Sequence, residues 1–160
     1  MSLRVKYSKQ ALADLRNEPA KRFLSEVGLP AEDLLFGFAE PTTRRVEANG
    51  GARTIIRVGE GGDGADFCAD VVSGEVVFLN LADNSVWHVS ASPEQFLACL
   101  EEFARRYPFG SIEGELEERE VLAEALKEAL LAIDSTVFDD DPGYWFTILN
   151  DVAIGDYAEE

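Results

Sequence analysis

The spacing of turns between Arg53 and Val89 constrains this chain most. Asp66 to Val72 and Glu75 to Leu81 are rich in β-branched and aromatic residues, and only Ser73-Gly74 separates them. Asp83-Asn84 then turns the chain into Val86 to Val89. Connections this short join antiparallel neighbours, because a parallel crossover needs roughly a dozen residues or more. Arg53 to Val58 reads as a further strand and Leu34-Leu35-Phe36-Gly37-Phe38 as a buried one. Glu40 to Gly51 is polar and ends in the turn signal Asn49-Gly50-Gly51.

On either side of the strands the periodicity is helical. Pro19 suits a first turn, Phe23, Leu24 and Val27 share a face, and Gly28 is placed to end the helix in the left-handed conformation. Ser92-Pro93-Glu94-Gln95 is a capping box, and Phe96, Leu97, Leu100, Phe103, Ala104 and Tyr107 continue one apolar face. A second long helix spans 115–133, with the stripe Val121, Leu122, Ala125, Leu126, Ala129, Leu130 and Ile133. Asp139-Asp140-Asp141-Pro142-Gly143 breaks the chain before a last short helix, Tyr144 to Val152. Residues 1–18 are expected to hold a short helix around Gln10–Leu15 or to remain a partly flexible arm. These elements predict one α+β domain over residues 1–160: an antiparallel-rich sheet of about five or six strands with helices packed around it. Its expected core includes Phe23, Leu24, Phe36, Phe67, Phe96, Leu100, Phe103, Leu126 and Trp145.

Charge narrows the partners. The 160 residues carry 31 acids against 14 bases, a net of −17. Residues 1–53 are net +2 and residues 54–160 net −19. Such a field repels nucleic acid and anionic lipid and attracts basic surfaces; the alternative is that it serves only to keep the chain in solution. The longest apolar runs are far below the roughly 20 residues of a membrane span, and no apolar stretch follows Arg4 and Lys6 as an export signal requires. Cys68 and Cys99, 31 positions apart within apolar segments, read as buried reduced thiols rather than a disulfide. A cytoplasmic protein is expected.

Little here suggests catalysis. His88 is the only histidine, set in a strand, and no metal-ligand spacing exists. Gly59-Glu60-Gly61-Gly62-Asp63-Gly64 is a glycine loop without the following helix a phosphate cradle uses, and it contains two acids. Acid pairs are too numerous for any one pair to signal a hydrolase, so that reading stays open but remote. No catalytic residue, cofactor or metal is assigned. Asp139, Asp140 and Asp141 beside Tyr144 are the expected partner-binding residues: dense charge next to an aromatic anchor suits a basic protein. The alternative is a solvated loop with Trp145 in the core.

Several strings, in order, resemble a known family. Phe23-Leu24-Ser25-Glu26-Val27-Gly28-Leu29-Pro30 with Leu35-Phe36-Gly37-Phe38 is similar to the opening of the SUKH superfamily, nearest its group 4 of bacterial immunity proteins. Arg57-Val58-Gly59, the hairpin Phe67 to Val76, the helix opening Val89 to Leu100, and Trp145 with Gly155-Asp156 continue the resemblance over roughly 19–157. One departure is Val89-Ser90-Ala91-Ser92, where the family often has Asn-Ser-Ser. The resemblance implies a protein that binds and neutralises a cognate polymorphic toxin, often a basic nuclease or deaminase. A scaffold or regulatory binding module of the same fold is the alternative.

Overall fold

A computed structural model describes residues 3–48, 51–62 and 64–160. The chain opens with β1 (Arg4–Val5), α1 (Glu18–Glu26), β2 (Leu29–Pro30) and β3 (Gly37–Phe38). Then come β4 (Thr43–Ala48), β5 (Gly51–Gly62), β6 (Ala65–Asp70), β7 (Val76–Asn80) and β8 (Val86–Ser90). Three helices follow: α2 (Pro93–Arg106), α3 (Leu116–Ile133) and α4 (Tyr144–Ile154). Strands β3 to β8 form an antiparallel sheet in the order β3-β5-β6-β7-β8, with β4 beside β3 on the same edge of β5. The fold is the expected α+β architecture.

The caps explain the helix boundaries. Asn17 Oδ1 accepts the Ala20 N–H (3.0 Å), while its Nδ2 donates to Val72 O and Ser73 O, tying α1 to the β6–β7 turn. Ser92 Oγ accepts the Gln95 N–H at 3.2 Å, and Gln95 Oε1 accepts the Ser92 hydroxyl at 2.9 Å. That pairing closes the N-terminus of α2, where four backbone donors lack helical partners. Gly28, at φ +83°, ends α1, and a Cβ there would meet Val5 O at 2.0 Å.

Four expectations are corrected. Residues 3–18 are tied into the fold rather than forming a flexible arm: β1 pairs with β2, and Tyr7, Leu12 and Leu15 are buried, Tyr7 donating its hydroxyl to Val58 O at 2.5 Å. The polar stretch from Glu40 contains the edge strand β4; its Asn49-Gly50 turn lies outside the described residues. Only Gly37–Phe38 of the predicted strand at 34–38 is extended, and Leu34 is exposed.

The fourth concerns the glycine segment. Gly59 to Gly62 is not a loop but the end of β5, with register irregularities at 57–59 and 60–62. Aromatic rings lie against this backbone: a Cβ on Gly59 would meet the Phe36 ring at 2.1 Å, and one on Gly61 the Phe78 ring at 2.3 Å. Glycine is required there by close approach of rings, not by a ligand.

The main core lies between the sheet and the helices. Phe36, Phe67, Phe96, Phe103, Leu24, Leu100, Leu126 and Trp145 are all buried, as expected, and Phe23 packs against them half-buried. On α3 the buried positions are Ala123, Leu126 and Leu130; Val121, placed in the stripe by sequence, is exposed because it lies about 140° around the helix from Leu126. The opposite face of the sheet carries a smaller cluster: Val46, Ile55, Cys68, Val77, Leu79 and Val86. Cys68 belongs to that cluster and Cys99 to the main core, so the sheet separates the two free thiols. Burial pushes both up to about 12. Among the described residues no helix is long and apolar enough to cross a membrane.

Candidate functional site

The sheet face away from the main core is built from paired charges over an apolar floor. Alternation puts Arg53, Ile55 and Arg57 of β5 on this side, and the register sets Ile55 opposite Asp70 and Arg57 opposite Cys68. Arg57 Nε lies 3.2 Å from Asp66 Oδ1 and its Nη2 3.0 Å from Glu60 Oε1. Arg53 donates through Nε to Asp70 Oδ2 (3.1 Å) and through Nη2 to Glu75 Oε1. The β5 arginines are therefore engaged by carboxylates of their own chain.

Glu75 extends this pairing into a chain of hydrogen bonds. Its Oε2 lies 2.5 Å from His88 Nδ1. His88 Nε2 lies 2.7 Å from Thr136 Oγ1, whose single proton is directed at Asp134 Oδ1, 2.6 Å away. The Thr136 oxygen can then only accept from Nε2, and the Glu75 carboxylate can only accept from Nδ1. With both ring nitrogens placed to donate, the geometry favours the imidazolium form of His88. Burial opposes that charge, but the hydrogen bond and carboxylate of Glu75, with Asp134 and Asp140 nearby, outweigh it and raise the His88 pKa above its ordinary 6.5. The His88 hydrogen bond, against burial and with help from Arg53, draws Glu75 below its ordinary 4.5.

The signs define a pH window. His88, raised, contributes its full stabilisation below about 6.5 and loses it as pH climbs through the folded value. Glu75, lowered, contributes above about 4.5 and loses it as pH falls through its folded value. Between those limits the pair contributes most. Urea unfolding from pH 5 to 9 should show wild-type stability falling above pH 6.5, with a shallower fall in His88→Gln; identical slopes would show that the pair is not coupled to folding.

These groups border a cleft of about 750 Å³ between β4–β5, the β7–β8 turn and the loop after α3. Its rim carries Glu47, Asp83, Asp139 and Asp140, and its floor Trp87 and His88. The carboxylates outnumber the cations, and Arg53 and His88 are already paired. The Ser85 N–H, donating at 2.9 Å, holds Asp83 below the usual carboxylate range.

The residues singled out in sequence do not stay together. Asp139 and Asp140 line the cleft, Asp140 accepting the His88 N–H at 2.7 Å, and Asp141 is exposed beside them. Tyr144 is only 6% exposed. Its ring packs on Phe67, Phe78 and Trp145, with centroids 4.8 to 5.2 Å away. It sits in the aromatic core rather than among the three acids, because α4, capped at Gly143, turns its first side chain inward.

Sequence reasoning passed over Glu47, Asp83, Trp87 and the Glu75–His88 pair. Strand alternation alone would have placed Glu75 with Val77 and His88 with Val86; that the two strands bring Glu75 and His88 together depends on the β7–β8 register and its irregularity between Val76 and Val77. Among the described residues no group of three His, Cys, Asp or Glu is placed to hold a metal ion.

A family model described as SUKH-4 immunity protein matches residues 4–151. No curated protein and no solved structure matches the chain.

Proposed function

The chain belongs to the SUKH-4 immunity protein family, and from that premise we propose that it works in the cytoplasm, without catalysis, by binding and blocking a cognate toxin domain with a basic surface. The observation that carries this reading is the cleft rim, where Glu47, Asp83 and Asp139 project beyond ion pairs already closed within the fold. Cations already paired inside the protein leave the field outside it negative. That field would steer a basic groove into place and raise the association rate. A nuclease or deaminase toxin suits it, because a groove that neutralises phosphates presents closely spaced lysines and arginines. Asp139, Asp140 and Asp141 are the proposed contact residues on the rim. The buried Tyr144 would support the surface rather than form part of this contact.

The test is co-purification with a toxin encoded beside the gene, followed by association kinetics at varied salt. Replacing Asp139, Asp140 and Asp141 by asparagine removes three charges, while Asp140→Asn keeps an acceptor for the His88 N–H. Association at low salt should slow about tenfold and lose much of its salt dependence, with dissociation little changed. Wild-type kinetics and wild-type protection of cells by the triple variant would place the interface elsewhere.

A further inference from the structure

A second concavity opens beside the cleft, and Trp87 lines both. It has a volume of about 320 Å³, at the small end for a ligand pocket. Its walls include the rings of Phe78, Trp87, Tyr144 and Tyr157, and at its side stands Asp151 of α4. The backbone of β5 forms another wall at Gly61 and Gly62, where a side chain at 62 would meet open space.

Its chemistry is one-sided. Among the described residues no lysine or arginine lines it. The Asp151 side chain makes no hydrogen bond or ion pair among the described residues. Burial, and then the neighbouring Asp156 carboxylate, raise the Asp151 pKa, so this carboxylate lacks the cation that would stabilise it. The Tyr144 hydroxyl, buried, feels Tyr157, Asp33 and Asp151, which raises it well above its ordinary value. Negative ring faces and one carboxylate therefore border a space with no positive group among the described residues that line it. An alkyl stem would find apolar rings there and a terminal cation would find a ring face and a carboxylate.

We propose that this aromatic pocket receives one lysine or arginine side chain of the partner protein and anchors the complex whose encounter the neighbouring acidic rim accelerates. The proposal rests on the reading of the chain as a toxin-binding protein, and it assigns the desolvated contact that long-range charge alone does not provide. It also gives Tyr144 a part in recognition through its pocket face, away from Asp139–Asp141.

The test on the full chain uses n-butylguanidinium, with neutral n-butylurea as the shape control, followed by amide NMR. Saturable shifts at Gly61, Thr147 and Asp151, on the order of millimolar as a fragment of that size allows, are expected for the cation alone. They should be lost in Asp151→Asn, which keeps the side-chain shape, and in Thr147→Trp, which fills the mouth. Equal shifts with the urea, unchanged binding to Asp151→Asn, or no saturable shifts would overturn the pocket. Against a cognate toxin, Asp151→Asn should weaken affinity about 30-fold, mainly through faster dissociation. A variant as tight as wild type would remove the pocket from recognition and leave the toxin reading intact. Fragment binding with no toxin neutralised by the wild type would keep the cation site and overturn the toxin reading.

Discussion

Phe67→Ala is expected to destabilise the protein by about 4 kcal/mol, more than any other single truncation in the main core. Phe67 is fully buried on the central strand β6. Its ring centroid lies 5.6 Å from Phe36, 4.9 Å from Phe78, 4.9 Å from Phe96 and 5.1 Å from Tyr144. Those rings come from the segment before β3, from β7, from α2 and from α4, so the void cannot be closed by moving one neighbour. The lost transfer energy and the unfilled cavity then add. For a chain of this size the melting temperature should drop by about 10 °C or more. Val121→Ala is the control: the residue is 68% exposed, and the change should stay within about 0.5 kcal/mol. Urea unfolding with an unchanged slope measures both. A Phe67→Ala loss under about 1 kcal/mol would mean that the layer re-packs freely.

Asp134→Ala should be nearly as costly, at about 3 kcal/mol, for a different reason. Asp134 is only 1% exposed at the C-terminus of α3. Its Oδ2 accepts the Ala91 N–H at 2.8 Å, and its Oδ1 accepts the Thr136 N–H at 2.9 Å and the Thr136 hydroxyl at 2.6 Å. One carboxylate thus joins the turn before α2 to the turn after α3 and orients the hydroxyl that accepts from His88. Alanine leaves three donors without their acceptor, and hydrogen bonds to a charged group contribute about 1.5–3 kcal/mol each before the donors find water. Asp134→Asn retains one oxygen acceptor and should lose about half as much. Unfolding at pH 6 and pH 8 separates the two effects: the alanine variant should also reduce the difference between the two pH values, because the freed Thr136 hydroxyl can turn its proton toward His88 and favour the neutral ring. A variant with wild-type stability and wild-type pH dependence would show that water replaces the carboxylate at no cost.

These two expectations also frame the proposed interface. The acidic cleft and the aromatic pocket share Trp87, and the Phe78 and Tyr144 rings on the pocket wall pack on Phe67. A destabilised core would therefore weaken recognition indirectly. Variants at Asp139, Asp140, Asp141 and Asp151 must be compared at equal stability before any loss of binding is assigned to the contact.

Where local chemistry is strong, this sequence determined its own structure. Asn17-Glu18-Pro19 and Ser92-Pro93-Glu94-Gln95 carry caps that work with nearby backbone groups, and α1 and α2 begin where those residues stand. Ser73-Gly74 needs only a positive φ and the Asp70 carboxylate, which accepts the Val72 and Ser73 N–H groups at 2.9 Å each. The order of such segments was also enough for the resemblance to the SUKH superfamily, which the family model bears out. Tertiary structure decided what depends on distant neighbours. Among the described side chains of residues 43–47 only Val46 is buried, so no alternation marked this segment as a strand; pairing with β5 makes it one. Gly59 and Gly61 signal a loop in isolation, yet rings from Phe36 and Phe78 require bare backbone there and keep it extended. Tyr144 adjoins three aspartates in sequence, but the start of α4 carries its ring into the core and onto the wall of a pocket completed by Trp87 and Asp151. The physical reason is common to all three: a turn or a cap is satisfied by groups a few residues away, whereas strand register, ring packing and a binding pocket need atoms that only the folded chain brings together.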